Sequence, residues 1–496
     1  MEQVPIGGLI IKSQLTAPAL PLRRDRGLAI TFGKIKATSA ICLMIFVAYA
    51  GLRISNLTAL TEVRQFPDTQ AYREKANWPL WSWGGRAGPL QGTLAWWLRG
   101  RSPTVPLFFK MAANRLRAIA FLQLGLSVLS WALLALFVAR AIEFNWLKPV
   151  AFLIVLLFSL SDYIIMWDTI TLSDSISVSL MVLLVASWFW LLENWRWQKA
   201  ALMLMIASLW VFSRDSNAWV VLMMGMLLLA LGSFWRSPRY LCVAAMFAML
   251  FIANEVSQNY SRRWVMPFFN VIGLRVLPNT ESTAYFAQLG MPVTPALMAR
   301  SGKYASDDDW AFYGDPALRG FQAWTYARGK LSYTRFLLAH PIATLKEPLA
   351  NVERLLDPDV SDYVSSSFSP ILSGVFAKLI YFQKSALRWV SASALLSAAV
   401  LTAALRTRQP RWLVTSALLM LTYPHAVLVW HGDSMEVERH ALQAAVQFRL
   451  GLWMAIFCGC DAILVYAARL GIRSREASGG AAYENRSLSP TLGDQF

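Results

Sequence analysis

Asp68 stands in the run Phe66-Pro67-Asp68-Thr69-Gln70-Ala71-Tyr72, immediately beyond a long apolar segment. Pro67 disfavours helix at Phe66 and suits the first position of a new helix. Asp68 then falls in the first turn of that helix, with Tyr72 one turn on and on the same face. A carboxylate fixed there can serve as a general base. It can equally be a helix-capping acid with no other role. A second polar turn reads Trp167-Asp168-Thr169-Ile170-Thr171-Leu172-Ser173-Asp174-Ser175. Ser173 or Asp174 suits the N-cap of the following helix, which leaves Asp168 as an acid the turn does not require. Asp162 lies deeper in apolar sequence, where an acid is costly and functional by default.

A third turn, Ser213-Arg214-Asp215-Ser216-Asn217, carries an arginine among short loops otherwise poor in base. An anionic ligand would account for it, because a guanidinium fork suits phosphate. Pairing with Asp168 or Asp215 would account for it equally. Arg262 and Arg263 follow a later apolar segment and could join such a site or hold lipid headgroups. The densest ionisable run is His431-Gly432-Asp433-Ser434-Met435-Glu436-Val437-Glu438-Arg439-His440. Glu436 and His440 are four apart and would share a helix face. With His431 they could hold a divalent metal, but the spacing matches no strong ligand motif. Closure of a helix bundle, or substrate binding by Asp433, Glu436, Arg439 and His440, is the simpler expectation. No cofactor is expected.

The elements that must position these residues are membrane helices. The chain has 496 residues, 56% of them hydrophobic and 15% charged, against about 25% charged in a soluble protein. Apolar blocks of about 14 to 21 residues approach or exceed what a bilayer core demands. About ten occur, at 37–52, 118–138, 147–167, 175–192, 200–213, 217–235, 240–256, 389–405, 412–430 and 447–468, of which 200–213 and 240–256 are the weakest. Aromatic residues gather at block ends, among them Trp195, Trp219, Trp235, Trp264, Trp412 and Trp430, as in headgroup-level belts. The fold class expected is an all-α polytopic membrane protein with about ten transmembrane helices and two long extracytoplasmic loops.

The net charge of +17 does not point to nucleic acid. Bases recur after alternate blocks: Arg140 and Lys148, Arg196 and Lys199, Arg236 and Arg239, then Arg406, Arg408 and Arg411. They also fill the N-terminal tail at Lys12, Arg23, Arg24, Arg26, Lys34 and Lys36. Short positive loops mark the cytoplasmic side, so both termini are expected there, and most acids then fall on the opposite side. Cys42, Cys242, Cys458 and Cys460 all lie in apolar blocks, so no disulfide framework is implied. Ala48-Tyr49-Ala50 resembles a signal-peptidase site, yet the basic tail before it is long, and an uncleaved first helix is expected.

The expected organisation is a cytoplasmic basic tail (1–36), a seven-helix membrane module (37–256) with an extracytoplasmic loop at 53–117, an extracytoplasmic loop domain (257–387), three C-terminal spans (388–469) and a disordered cytoplasmic tail (470–496). The first loop holds Asp68, a Trp- and Gly-rich run at Trp81-Ser82-Trp83-Gly84-Gly85, and an apolar stretch near Leu94–Leu98 that reads as interfacial. The second, of about 130 residues, is too long for a simple connector. Its stretch 332–356 puts Phe336, Leu337, Ile342, Leu345, Leu349, Val352 and Leu355 mainly on one helical face.

This architecture resembles the GT-C superfamily of integral-membrane glycosyltransferases over about 37–385. One helix, a long loop with an early acid, six more helices and a large loop after the seventh all correspond. The resemblance implies that Asp68 is the catalytic base or positions the acceptor. It also implies a polyprenyl-phosphate-linked sugar as donor, its phosphate held by bases such as Arg214, Arg262 and Arg263, and Tyr72, Asp168, Asp174 and Asp215 are expected in the same substrate-binding set. The acceptor would be a glycan, lipid or protein on the outer face of a bacterial cytoplasmic membrane. Many members carry paired acids in the first loop, whereas this chain has Asp68-Thr69, which disfavours the metal-dependent, oligosaccharide-transferring branch. The alternative reading is a multi-pass transporter or lipid or glycolipid flippase. Midplane charges and broken helices would favour it, and Asp461 and Asp162 are the residues to watch.

Overall fold

The computed structural model describes residues 31–58, 63–80, 89–357, 363 and 386–484. The basic residues Lys12 to Arg26, the run Trp81 to Gly85 and the tail beyond 484 lie outside these residues. The protein is helical throughout the described residues, apart from one isolated parallel bridge between Arg64 and Ile170. Each apolar block is helical, and the one at 147–167 is broken into a helix and two short turns. The principal helices are α1 (Thr31–Thr58), α2 (Pro67–Asn77), α3 (Leu116–Ala141), α4 (Leu147–Ser159), α5 (Asp174–Glu193), α6 (Trp197–Val211), α7 (Asp215–Phe234), α8 (Pro238–Ser261), α9 (Lys330–Ala339), α10 (Pro341–Ala350), α11 (Ala386–Thr407), α12 (Pro410–Gly432) and α13 (Val437–Glu484). Among the described residues, 7 helices are long and apolar enough to cross a membrane, namely α1, α3, α5, α7, α8, α12 and α13. The chain is a multi-pass, all-α membrane protein. The apolar stretches of α4, α6 and α11 are shorter than that length.

Local chemistry explains where the blocks and the helices differ. The block expected at 147–167 stops being one helix at Ser159. The Ser159 hydroxyl donates to Leu156 O at 3.0 Å and the Ser161 hydroxyl to Phe158 O at 2.6 Å, bonds that compete with helix continuation. The block at 240–256, weak because it ends in Asn254 and Glu255, becomes the 24-residue α8. Its acid is partnered: Lys330 Nζ lies 2.5 Å from Glu255. The break expected at 470, where the sequence turns rich in Ser and Gly, is absent: α13 runs on to Glu484.

The bundle is built around α5. Its most apolar stretch is 83% buried inside the protein, against 11% for α1, so α5 is a core helix and α1 a peripheral one. Trp131, Trp167 and Trp210 are fully buried around it. The polar turns that end α4, α6 and α12 all rise to the rim where α2 sits. Asp461 is buried at the opposite rim, where it accepts the Phe144 N–H at 2.8 Å and pairs with Arg411 in the first turn of α12. It is therefore not a midplane charge. The side chain of Asp162 lies outside the described residues.

A separate aromatic core, with Phe268, Phe269, Phe286, Phe312, Phe321 and Trp324, organises the loop domain from 264 to 356. Gly273 is required in it: a Cβ there would lie 2.1 Å from Lys303 O. The single amphipathic stretch expected at 332–356 is broken into α9, α10 and a short helix Val352–Leu356. Pro341 forces the first break, since the residue before proline leaves the helical region. The face divides with it. Val352 and Leu355 are buried, whereas Ile342 and Leu345 are exposed. The segment near Leu94–Leu98 is a short helix docked on the protein, not merely on a membrane. Trp96 is buried and Trp97 packs on Phe212 with ring centres 4.9 Å apart.

Candidate functional site

Asp68 lies in the first turn of α2, as the sequence predicts, but it does not cap the helix. The Phe66 N–H is met instead by Thr69 Oγ1 at 3.0 Å. Thr69 in turn donates to Thr171 O at 2.8 Å, which pins α2 to the turn before α5. The Asp68 carboxylate is thereby free for two guanidiniums. Arg101 pairs with one oxygen, and Arg439 stands 3.6 Å from the other. Arg439, from the start of α13, also reaches Asp174 at 3.2 Å and Glu436 at 2.5 Å. Asp174 lies 3.1 Å from Arg214, whose guanidinium donates to His440 Nδ1 at 3.3 Å. Glu436 further accepts from the Tyr363 hydroxyl. The chain thus brings Asp68, Asp174, Arg214, Glu436, Arg439 and His440 into one network at one rim.

Access differs sharply within it. The side chains of Arg101 and Asp68 are 38% and 30% exposed, while those of Arg214, Arg439 and Asp174 are 8%, 6% and 0% exposed. The first pair can meet a ligand, and the buried three hold the helices in register. Ser173 stands at the N-cap of α5 without a side-chain cap bond. Asp174 is thus a partner for two arginines, and the capping expectation is corrected. Tyr72 is buried under Arg101, whose guanidinium lies 5.6 Å from its ring centre. Burial first, then Asp68, push the Tyr72 hydroxyl above its usual range.

The loop carrying Arg101 is fixed from below. Lys75 Nζ donates to Arg99 O at 2.7 Å and also to Arg101 O. Burial, with Arg263 nearby, pushes Lys75 down to about 7. Arg263 grips Asp215 with both ends of its fork at 2.9 Å and donates to Gly100 O at 3.2 Å. Arg263 and Asp215 therefore support the Arg101 loop and do not join the network. Arg262 lies apart, over the Tyr326 ring at 4.5 Å. Arg214 pairs with neither Asp168 nor Asp215, the two partners expected of it.

Asp168 is occupied elsewhere. It is buried, pairs with Arg53 of α1, and accepts the Ser175 hydroxyl at 2.6 Å. Arg53 also donates to Ser127 Oγ at 2.8 Å and to Ser159 O. This fastens the peripheral α1 to the core, so the ligand-binding expectation for Asp168 gives way to a structural one. Glu436 precedes α13 in a left-handed conformation, φ 51°, and its carbonyl accepts the His440 N–H at 3.0 Å. His431 turns to Thr344 O at 2.9 Å. Among the described residues no group of three His, Cys, Asp or Glu side chains stands together as metal ligands.

Asp433 links α12 to the loop domain. Its Oδ1 accepts the Met435 N–H at 2.9 Å and the Asn270 amide at 3.0 Å. Burial pushes its carboxyl up to about 6, against the pull of those donors. The folded state therefore holds the proton more tightly than the unfolded state, and stability falls as pH rises through about 4 to 6. Asp433→Asn keeps an Oδ1 for both donors and loses the charge. Its melting temperature in detergent should match or exceed that of the parent at pH 7.5, with a flatter pH dependence between about 4 and 6. A clear loss at pH 7.5 would mean that the ionised carboxylate is needed.

The sequence reading missed Arg101, Lys75, Arg53 and Tyr363. The signal for the first was present in Arg99-Gly100-Arg101, two bases in a loop expected to face outward. Tyr363 packs against Phe66 and Trp167 with tilted rings, centres 5.2 and 5.3 Å away, and only the fold brings it there. An apolar cleft runs between α5, α7 and α12, lined from Met181, Val220 and Leu421 to Leu192, Leu231 and Leu413 near the ends of these helices remote from the network, with Trp210 and Gln447 also in its lining. Trp210 precedes Arg214 by one turn, and its indole donates to Gln443 at 2.9 Å, one turn beyond His440. No protein-family model matches the chain, and no curated protein matches it in sequence.

Proposed function

We propose that this protein is a membrane glycosyltransferase that moves a sugar from a lipid-phosphate donor to an acceptor hydroxyl on the extracytoplasmic side. The observation that carries the reading is the exposed Asp68–Arg101 pair at one rim of a bundle that also holds an apolar cleft between α5, α7 and α12. The cleft suits a polyprenyl tail. Arg101 suits the phosphate, since a guanidinium fork matches its oxygens. Asp68 would take the proton as the acceptor oxygen attacks the anomeric carbon and the bond from that carbon to the phosphate oxygen breaks. The negative charge on the departing phosphate is stabilised by arginine. Tyr363, from the loop that follows the loop domain, would border the acceptor side. For the alternative transporter reading, Asp461 supplies no midplane charge, because it pairs with Arg411 at the opposite rim.

The reading places both termini in the cytoplasm and treats the short apolar helices α4, α6 and α11 as spans too, about ten in all. Cysteines introduced at Ser306 and Ser474 should then differ in intact cells: an impermeant thiol reagent should label the first and spare the second. Equal labelling would overturn this topology.

Arg101→Ala tests the donor site. Arg101 and Asp68 are both substantially exposed, so their pairing contributes roughly 0–1 kcal/mol to stability. A charged contact to phosphate is worth about 1.5–3 kcal/mol. The variant should therefore bind polyprenyl monophosphate roughly tenfold or more weakly while melting close to the parent. Unchanged affinity for that lipid would remove Arg101 from the proposal.

A further inference from the structure

We propose that α10, with the end of α9, is embedded in the membrane leaflet on the loop-domain side, so that the loop domain is anchored by lipid as well as by the bundle. Leu338, Ile342, Leu345 and Leu349 are 75%, 80%, 53% and 37% exposed. Within α10 the spacing of three and four residues puts Ile342, Leu345 and Leu349 along one face, and Leu338 stands at the end of α9, just before the break at Pro341. Together they form an apolar strip that includes the two most exposed large apolar side chains of the described loop domain, Leu338 and Ile342. Such a strip facing water is unusual in a stable protein and marks an interaction surface.

Its position identifies the occupant. α10 runs beside α12, a helix long and apolar enough to cross a membrane. Thr344 O accepts from His431 at 2.9 Å, and Glu347 accepts from the Trp430 indole at 3.3 Å. Leu345 O accepts from the hydroxyl of Tyr423, a residue well inside α12, which ends at Gly432. At about 1.5 Å per residue, Tyr423 sits on the order of 13 Å below that end. Its side chain spans only part of this depth, so Leu345 lies below the end of the span. The surface of α12 continues downward through Met420, which is 37% exposed. The apolar strip thus joins the lipid-facing surface of a spanning helix. Lys346 on the same helix fits this depth, since a lysine stem can lie along lipid while its ammonium reaches water. The partner is the acyl–headgroup boundary of the bilayer, and the inference holds whatever reaction the protein performs.

The test uses the full chain in nanodiscs of phosphatidylcholine and phosphatidylglycerol. Single cysteines at Leu338, Ile342 and, as a control, Ser301 are labelled with an environment-sensitive fluorophore in a background with the native cysteines changed to alanine. Labels at 338 and 342 should be blue-shifted and quenched at least twofold by lipid carrying a shallow spin label, and the label at 301 should be unaffected. Photolysis of the unaltered protein with diazirine-bearing phosphatidylcholine gives the same answer without any variant: adducts should map to the 338–349 peptide. Water-like emission at 338 and 342 with no adducts there would overturn the proposal. So would shielding that occurs only in discs holding two copies, which would make the strip a contact between protein chains.

Discussion

Arg439→Met should destabilise the protein more than any other single change in the network, by about 3–5 kcal/mol, the cost of leaving buried carboxylates without their partner. Arg439 faces Asp174 at 3.2 Å, Glu436 at 2.5 Å and Asp68 at 3.6 Å. Methionine fills a similar volume, so the loss is electrostatic and not a cavity. Asp174 suffers most, because its side chain is 0% exposed and only Arg214 remains beside it. Changing Asp174 to Asn in the same chain should restore part of the loss, whereas additive losses would show that the two side chains do not act through each other. Thermal unfolding in detergent reads both variants. A fall in melting temperature of only a degree or two for Arg439→Met would mean that the network is not what holds α5 and α13 together.

Much of the fold is legible in the sequence because the bilayer imposes a simple rule: apolar residues in runs long enough to cross it. Every block but the one at 147–167, which breaks at Ser159, lies in one helix, and Pro67 and Asp68 open α2 where local chemistry puts them. Pairings were less legible. The Arg214 fork has several acids within plausible reach in sequence, and nothing local selects Asp174 over Asp168 or Asp215. Selection is made by α1, whose Arg53 takes Asp168 first, and by Arg263, which takes both oxygens of Asp215. Both are consequences of helix packing across more than forty residues of chain. Arg53 escaped notice because it lies at the end of an apolar segment, where arginine usually signals a membrane boundary. The amphipathic pattern at 332–356 misled for a related reason: a single face was assumed to have a single partner. Pro341 divides it, one part turning to the bundle core at Leu355 and the other outward at Ile342.

Asp68→Asn should lower turnover by roughly 10² to 10⁴, the usual contribution of a general base, with folding and donor binding near normal. The geometry makes this substitution informative. Asp68 does not cap α2, since Thr69 meets the Phe66 N–H, so no helix end is lost with its charge. Its ion pair with Arg101 is substantially exposed, and such pairs contribute roughly 0–1 kcal/mol. Asparagine still accepts a hydrogen bond from Arg101 through its amide oxygen, so the guanidinium stays oriented toward the phosphate position. What disappears is the capacity to take a proton. A merely structural Asp68 would give a variant with slightly lower stability and full turnover. A phosphate-screening role for the acid would give tighter binding of polyprenyl monophosphate with little change in rate. A catalytic Asp68 gives the opposite pair of readings, donor affinity retained and rate lost. Full activity of the variant in a transfer assay would leave the acceptor without a base in this site.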